Sequence, residues 1–165
     1  MLKTGKFIII AFAVYMLISI CCGCASNTTR KYLFKTKTGD AVAVWLDSSG
    51  IESQYRLKAQ DDEFSVLRKN TELVRGTFYS TDSIDNFRLS IKNDPVSKML
   101  KDNGEELWWI SYNPDKNAME YEALFRISDK TCVLIGGVLS EDIKEEDIEN
   151  AIRGISVKAI PQPKA

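Results

Sequence analysis

Histidine is missing from all 165 residues of this chain. Histidine is the commonest general base and the commonest metal ligand, so its absence removes Ser-His-Asp and Cys-His catalysis outright. Neither a glycine-rich phosphate loop nor the nucleophile elbow of serine hydrolases occurs. These absences predict a protein that is not an enzyme. A hydrolase that works through two carboxylates needs no histidine and stays open as an alternative.

Cysteine is scarce, and its distribution along the chain is uneven. Cys21, Cys22 and Cys24 lie together near the N-terminus, and Cys132 lies alone in the body of the chain. A single cysteine cannot supply a disulfide framework or a zinc site. Cys132 occupies an apolar, strand-like run and is predicted to be a buried structural thiol. We therefore expect neither a metal nor a cofactor.

The chain also lacks a strong excess of charge of either sign. Its 22 basic residues face 23 acidic ones, and no basic patch stands out. Proteins that bind nucleic acid carry a clustered positive surface. We therefore expect no nucleic-acid partner.

The N-terminal segment is the most recognisable feature that the sequence does contain. Lys3 and Lys6 precede an uncharged apolar run, Phe7–Ile20, and small residues follow it. A basic start, an apolar stretch and a small-residue cleavage point are the layout of a secretory signal peptide. The pair Gly23–Cys24 then resembles the lipobox of bacterial lipoproteins, whose cysteine is diacylated and becomes the first residue of the mature chain.

The resemblance implies lipidation at Cys24, because Gly23 is small whereas Ile20 before Cys21 is not. The chain departs from the family's pattern at Cys21, where an aliphatic residue is usual. Residues 25 and 26 lack the acidic residue that retains such lipoproteins in the inner membrane, which implies sorting to an outer membrane where one exists.

The same N-terminal segment fits a second interpretation. The uncharged stretch 7–26 is about long enough to span a bilayer core as an uncleaved signal anchor. The basic residues that follow it leave the positive-inside bias undecided. Both interpretations place the body of the chain outside the cytoplasm, attached to a bacterial cell membrane or outer membrane.

The rest of the chain is predicted to be one domain of the α+β class. Five strand-like segments, a helical region, three more strand-like segments and a final helix follow one another. This order predicts a mainly antiparallel sheet of seven or eight strands with two or three helices packed on one face. The predicted organisation is a signal peptide, a lipid-anchored tether, the domain and a proline-containing tail, at residues 1–23, 24–30, 31–160 and 161–165.

The segment 83–104 carries two separate helix signals. Residues 83–92 have apolar side chains at helical spacing; an alternating strand pattern also fits them, and we prefer the helix. Asp94 as N-cap, Pro95 in the first turn and Gly104 as terminator predict a second, short helix.

The C-terminal part of the chain predicts a closing hairpin and helix. Asp142 followed by Glu145 has the spacing of a capping box, and Gly154 is placed to end the helix in a Schellman motif. The glycine pair 136–137 inside the preceding strand predicts a bulge or a close backbone approach. This C-terminal third resembles the PsbP/Mog1-like α+β domains; no motif accompanies the resemblance, so it implies no functional residues.

Two surfaces are candidates for binding. Trp108, Trp109 and Tyr112 could form an aromatic platform for a sugar or peptide. Neighbouring strand residues point to opposite faces, so one tryptophan is predicted to be core and the other to be the binding candidate. Glu146 and Glu149 lie on the outer face of the final helix and could recruit a basic partner.

The sequence thus predicts an extracytoplasmic, monomeric lipoprotein held to a membrane by its lipid. Its role would be that of a non-enzymatic binding or structural component of the bacterial cell envelope. Its partner would be an envelope protein or another envelope ligand, whose identity the sequence leaves open.

Overall fold

The computed structural model describes residues 30–47 and 55–161. The signal segment and Cys24 lie outside these residues. Within the two ranges, no helix is long and apolar enough to cross a membrane. The strands are β1 (Tyr32–Lys35), β2 (Ala41–Leu46), β3 (Tyr55–Gln60), β4 (Glu63–Arg68), β5 (Thr71–Ser80), β6 (Lys98–Asp102), β7 (Glu106–Asn113), β8 (Ala118–Arg126), β9 (Thr131–Val138) and β10 (Ile155–Ile160); the helices are α1 (Ser83–Asn93) and α2 (Glu145–Arg153).

The strands form two sheets in which every pair is antiparallel. The small sheet has the order β1-β2-β10, and the large sheet has the order β3-β4-β5-β9-β8-β7-β6. The predicted α+β class with mainly antiparallel strands is confirmed. The described part of the chain has ten strands where seven or eight were expected, chiefly because β6 carries the local signals of a helix.

One face of the large sheet, which we call the first face, is covered by the small sheet and α2. The ring of Phe34 in the small sheet lies 6.1 Å from that of Phe64 and 5.3 Å from that of Phe78, measured between centroids. Ile148 and Ile152 of α2 are buried in the same cluster. The main core therefore lies between this covering layer and the large sheet.

The other face, the second face, is covered in part by α1. Ile84 and Ile91 of α1 are buried against Leu107, Trp109 and Cys132. The prediction that residues 83–92 form a helix is confirmed, whereas the prediction that the helices share one face is wrong. The physical reason is that the central strands carry apolar side chains on both faces, so each face needs a cover.

The short helix predicted after Asp94 is also wrong: this segment is a turn followed by strand β6. Asp94 has an extended backbone (ψ 114°), which is the conformation favoured before proline. Its carboxylate accepts a hydrogen bond from the Val96 N–H at 3.1 Å, and its carbonyl accepts one from the Ser97 N–H at 3.2 Å. Aspartate followed by proline starts a β-turn as readily as a helix, and pairing with β7 decides between them.

The final helix begins later than predicted. Lys144 is the N-cap residue, and its N–H donates to the Asp147 carboxylate at 3.0 Å, so the capping interaction lies two residues beyond the Asp142–Glu145 pair. Gly154 does end the helix, but its φ of −81° excludes the left-handed Schellman geometry. The chain enters β10 directly after this residue.

A close backbone approach fixes α2 over the sheet, as the glycine pair predicts. A Cβ atom on Gly137 would lie 2.0 Å from the carbonyl oxygen of Leu73 and 3.1 Å from Cδ1 of Ile148. Only a residue without a side chain fits between β5, β9 and α2 at this point.

Candidate ligand groove

A groove of about 430 Å³ opens on the first face of the large sheet. It lies between the edge strand β10, the C-terminal end of α2 and strands β7 to β9. Its volume is within the range of small-molecule sites. Its apolar walls include Phe125, Ile127, Val133, Ile135, Ile152 and Val157.

Strand alternation places these apolar side chains together. Phe125 of β8 pairs with Val133 of β9, and Ile135 lies two residues further along the same face. Val157 belongs to β10, which pairs with β2 and lies at the edge of the small sheet. The groove is therefore the gap where the small sheet stops covering the large one.

Trp108 is the groove residue with an unmatched polar group. It is only 4 % exposed, and its ring meets those of Tyr121 and Phe125 edge to face, at centroid distances of 6.0 and 5.4 Å. Its indole Nε1–H is buried and has no hydrogen-bond partner among the described residues. A buried donor without a partner costs about 1–3 kcal/mol, and an indole can only donate.

Two arginines also line the groove. The guanidinium of Arg153 lies 5.2 Å from the centroid of the Trp108 ring and forms an ion pair with Glu149 at 2.6 Å. Arg126 pairs with Cys132, so its side chain lies on the second face, where it forms an ion pair with Glu105 at 3.2 Å. An exposed ion pair contributes little free energy, so the guanidinium of Arg153 can exchange partners at small cost.

The structure separates the three aromatic residues that the sequence grouped. Trp108 and Tyr112 lie on the first face, whereas Trp109 lies on the second face with its ring 6.1 Å from that of Phe87. Trp109 is 3 % exposed and Trp108 is 4 % exposed, so neither tryptophan forms an exposed aromatic surface. The reason is that α1 covers β7 from the second face. Tyr112 is exposed, and its hydroxyl donates to Asn117.

The two glutamates predicted to form a partner face occupy different environments. Glu146 is exposed, whereas Glu149 is half-buried and accepts a hydrogen bond from the Tyr121 hydroxyl at 3.4 Å. Burial first, and then the charge of Glu149, raises the pKa of Tyr121, so this hydroxyl keeps its proton. Glu149 also binds Arg153, so it contacts a residue that lines the groove without lining the groove itself.

Reasoning from sequence missed Arg153 and Val157 as groove residues. The groove is formed by residues of β7 and β10, which are far apart in the chain. No local sequence pattern therefore predicts it. The available signal was the spacing of Glu149 and Arg153, which are four residues apart and therefore adjacent on a helix.

A metal site and a reactive thiol are the other chemical features to consider among the described residues. Among the described residues, no group of three or more Cys, Asp or Glu side chains is placed to hold a metal. Cys132 is fully buried, as predicted, and burial raises the pKa of its thiol to about 11. Its Sγ–H donates to the carbonyl of Ser80 at 3.3 Å. Such a thiol is inert at neutral pH.

No family model, curated protein or solved structure matched this chain when it was compared with known proteins. The lipobox-like N-terminus and the PsbP/Mog1-like C-terminal third therefore stay predictions. A functional argument rests on the side chains themselves and on the groove that they form.

Proposed function

We propose that this chain is a lipid-anchored, extracytoplasmic binding protein that holds a small apolar ligand in the groove at Trp108. The observation that carries this proposal is the groove itself, which is lined mainly by apolar side chains together with a few charged ones. An apolar pocket with a few polar groups is the usual form of a small-molecule site.

A binding role fits the groove better than catalysis. The groove is lined by hydrocarbon, two arginines and one carboxylate, that of Glu106, which Lys101 binds. Within the described residues it therefore holds no pair of carboxylates that could divide acid and base roles. The proposed protein is monomeric, needs no cofactor and does not bind nucleic acid.

The proposed anchor places this groove close to a membrane surface. Acylation at Cys24 would leave a tether of a few residues before β1. Each buried methylene contributes about 0.8 kcal/mol to membrane binding, so the several acyl chains of a lipoprotein hold it stably. An apolar ligand that leaves a membrane would meet the groove after a short path.

The test of the binding role is the recovery of a ligand with the full-length protein. The protein is purified from bacterial membranes, extracted with organic solvent and analysed by mass spectrometry. Val157→Trp fills the groove, and Ile160→Trp is the matched control because Ile160 lies on the same strand outside the groove.

We expect a compound that is enriched with the wild-type protein and with Ile160→Trp, and that is lost with Val157→Trp. Thermal unfolding of both variants checks that they are folded. Equal recovery from all three proteins, or no enrichment from any of them, would contradict a ligand in the groove.

A further inference from the structure

We propose that the outer face of the small sheet binds to an anionic phospholipid surface, so that the domain lies against the membrane to which the chain is attached. The outer face is the side of β1, β2 and β10 that is turned away from the large sheet. This inference rests on the membrane attachment in the proposed function, which the lipid anchor and the signal anchor share.

Strand alternation defines the residues of the outer face. Val42 and Val44 of β2 are buried in the main core, so their neighbours along the strand point the other way. The register brings the outward residues of the three strands together, because Leu33 pairs with Ala43 and Ala43 pairs with Lys158. The large side chains of the outer face are those of Leu33, Lys35, Trp45, Lys158 and Ile160.

The outer face is positively charged, although the whole chain has slightly more acidic than basic residues. The three strands of the small sheet contain two lysines, Lys35 and Lys158, and neither Asp nor Glu. Lys31, directly before β1, adds a third positive charge, because its ammonium lies 4.7 Å from the centroid of the Trp45 ring. All three lysines are exposed. A surface of this charge is complementary to an anionic partner.

Two acidic residues flank β2 without reversing this charge. The carboxylate of Asp40, before β2, accepts hydrogen bonds from Ser128 and Thr131 at 2.5 and 2.7 Å, so it is directed towards the large sheet. Asp47 directly follows β2 and lies at one end of the outer face. The three lysines therefore outnumber the single aspartate that lies beside them.

The outer face also exposes apolar and aromatic side chains. Leu33 is 72 % exposed, the highest value among the large hydrophobic side chains that the structure describes, and Ile160 is exposed as well. Trp45 lies between two cations, with the ammonium groups of Lys31 and Lys158 at 4.7 and 5.7 Å from its ring centroid. Tryptophan is enriched at membrane–water interfaces, and lysines beside it can reach lipid phosphates. Lysines together with exposed apolar side chains bind anionic lipids through charge and through buried area.

The N-terminal attachment brings the outer face close to the membrane. Only residues 25–31 separate Cys24 from Tyr32, the first residue of β1, and a linker of this length extends to at most about 30 Å. Such a short linker gives a second contact an effective concentration on the order of millimolar. A surface interaction that is too weak to hold a free protein can therefore hold an attached one. Because β10 also lines the groove, the groove would then open beside the lipid headgroups.

The experiment detects the approach of Trp45 to lipid headgroups by fluorescence quenching. The full-length protein purified from membranes is reconstituted into vesicles of phosphatidylcholine, with or without phosphatidylglycerol. All vesicles contain a lipid with a nitroxide on its headgroup, which quenches nearby tryptophans. Trp45→Phe measures the background from Trp108 and Trp109, which are buried. The chain is attached to both kinds of vesicle, so a difference between them reports the binding of the domain to the surface.

We expect Trp45 to be quenched in the anionic vesicles and much less in the neutral ones, and added salt should reduce the difference. Lys35→Gln with Lys158→Gln should lower the ratio of bound to unbound domains about 30-fold, since each lysine near an anionic surface contributes about fivefold. The matched control is Lys58→Gln with Lys92→Gln, which removes the same charge from the second face and should leave the quenching unchanged. Thermal unfolding checks that both double variants are folded.

Three outcomes would overturn the membrane contact. They are equal quenching in the two kinds of vesicle, a Trp45 that neither vesicle quenches, and quenching that the variant at Lys35 and Lys158 retains in full. An unquenched Trp45 would leave the basic face to an acidic protein partner.

The same vesicles separate this inference from the proposed function. If the protein still sediments with them after a wash at high salt, the attachment is intact whatever Trp45 shows, and the ligand of the groove is tested by Val157→Trp. Release of the protein by that wash would contradict the membrane attachment, and the membrane contact with it.

Discussion

Glu122 illustrates how one partly buried carboxyl group affects the stability of this protein. It lies on β8 on the second face, where its carboxylate accepts a hydrogen bond from the Ser111 hydroxyl at 2.9 Å. Burial raises the pKa of Glu122, and the hydrogen bond from Ser111 offsets this effect only in part. The folded protein therefore holds the Glu122 proton more tightly than the unfolded chain does.

The sign of this shift makes a pH-dependent prediction. A carboxyl group with a raised folded pKa favours the folded state fully below its unfolded pKa of about 4.3, and this contribution is lost as pH rises through the folded pKa. Glu122→Gln changes the free energy of unfolding by an amount that should depend on pH. The change should be more stabilising at pH 7 than at pH 3.5, and urea denaturation at both pH values measures it. An equal effect at both values would show that ionisation of Glu122 is not the cause.

At the scale of elements, the contact between α2 and the large sheet depends on Gly137. The position has no room for a methyl group, because the nearest atom is a backbone oxygen rather than a flexible side chain. The neighbouring Gly136 is less restricted: a Cβ atom there would first meet Cγ of Glu122, at 2.8 Å, which can move aside. Of the two adjacent glycines, Gly137 is therefore the one whose replacement requires the backbone or α2 to move.

Gly137→Ala should destabilise the protein by about 3 kcal/mol or more, the upper end of the overpacking range, because β5 or α2 must shift. Gly136→Ala is the matched control and should cost clearly less. Thermal or urea unfolding of the two variants gives the comparison. Similar losses would mean that α2 does not press on Gly137 as described.

Elements with a strong local pattern were predictable from the sequence, and those decided by contact with other elements were not. Residues 83–92 form a helix because their helical apolar spacing gives one apolar side, and the exposed apolar side chains on the second face need a cover of that kind. The turn and strand after Asp94 carried helix signals, which pairing with β7 overrode. For the candidate site, the strand pattern around Trp108 placed Trp108 and Trp109 on opposite faces, but the burial of both depends on neighbours such as α1, α2 and β8 that no local pattern positions; that Trp108 binds a ligand stays a prediction.

At the scale of the whole molecule, a hydrogen-bond network of one carboxylate and several hydroxyl groups connects the small sheet to the large one. Asp40, in the β1–β2 turn, accepts hydrogen bonds from Ser128 at 2.5 Å and from Thr131 at 2.7 Å. Thr131 is fully buried and also contacts Thr38. These two hydroxyls, first Ser128 and then Thr131, lower the pKa of Asp40.

Asp40→Asn should lower the free energy of unfolding at neutral pH by about 1–2 kcal/mol, because a charged hydrogen-bond acceptor is replaced by a neutral one. A carboxylate with a lowered folded pKa stabilises above its unfolded pKa of about 3.9 and loses this contribution as pH falls. The difference in unfolding free energy between wild type and variant should thus shrink in acid. Hydrogen exchange should show faster opening of β1, β2 and β10 at neutral pH; unchanged exchange would contradict the role of this network.

The proposed lipid anchor makes a prediction about the whole chain. Cys24→Ala should leave a full-length, unlipidated protein, whereas Cys21→Ala and Cys22→Ala should mature normally, because only Cys24 follows a glycine. Intact mass after detergent extraction measures the outcome. A mature chain that starts at another residue, or a wild-type chain that keeps its full length, would rule out lipidation at Cys24 and favour the signal anchor.

The position of β1 has a mechanical consequence for a protein held at its N-terminal end. Strand β1 has four residues, and its free end at Tyr32, opposite the turn to β2, is where the preceding chain joins it. A force applied to the chain before Tyr32 acts on the hydrogen bonds between β1 and β2 one after another. Strand β1 therefore separates from β2 stepwise, and its hydrogen bonds do not all resist the force at once. Because the groove is walled by β10 on the other side of β2, the first strand to yield is not one that forms the groove. If the chain is anchored as proposed, β1 would be the first strand to unfold under load, and the strands that line the groove would keep their places.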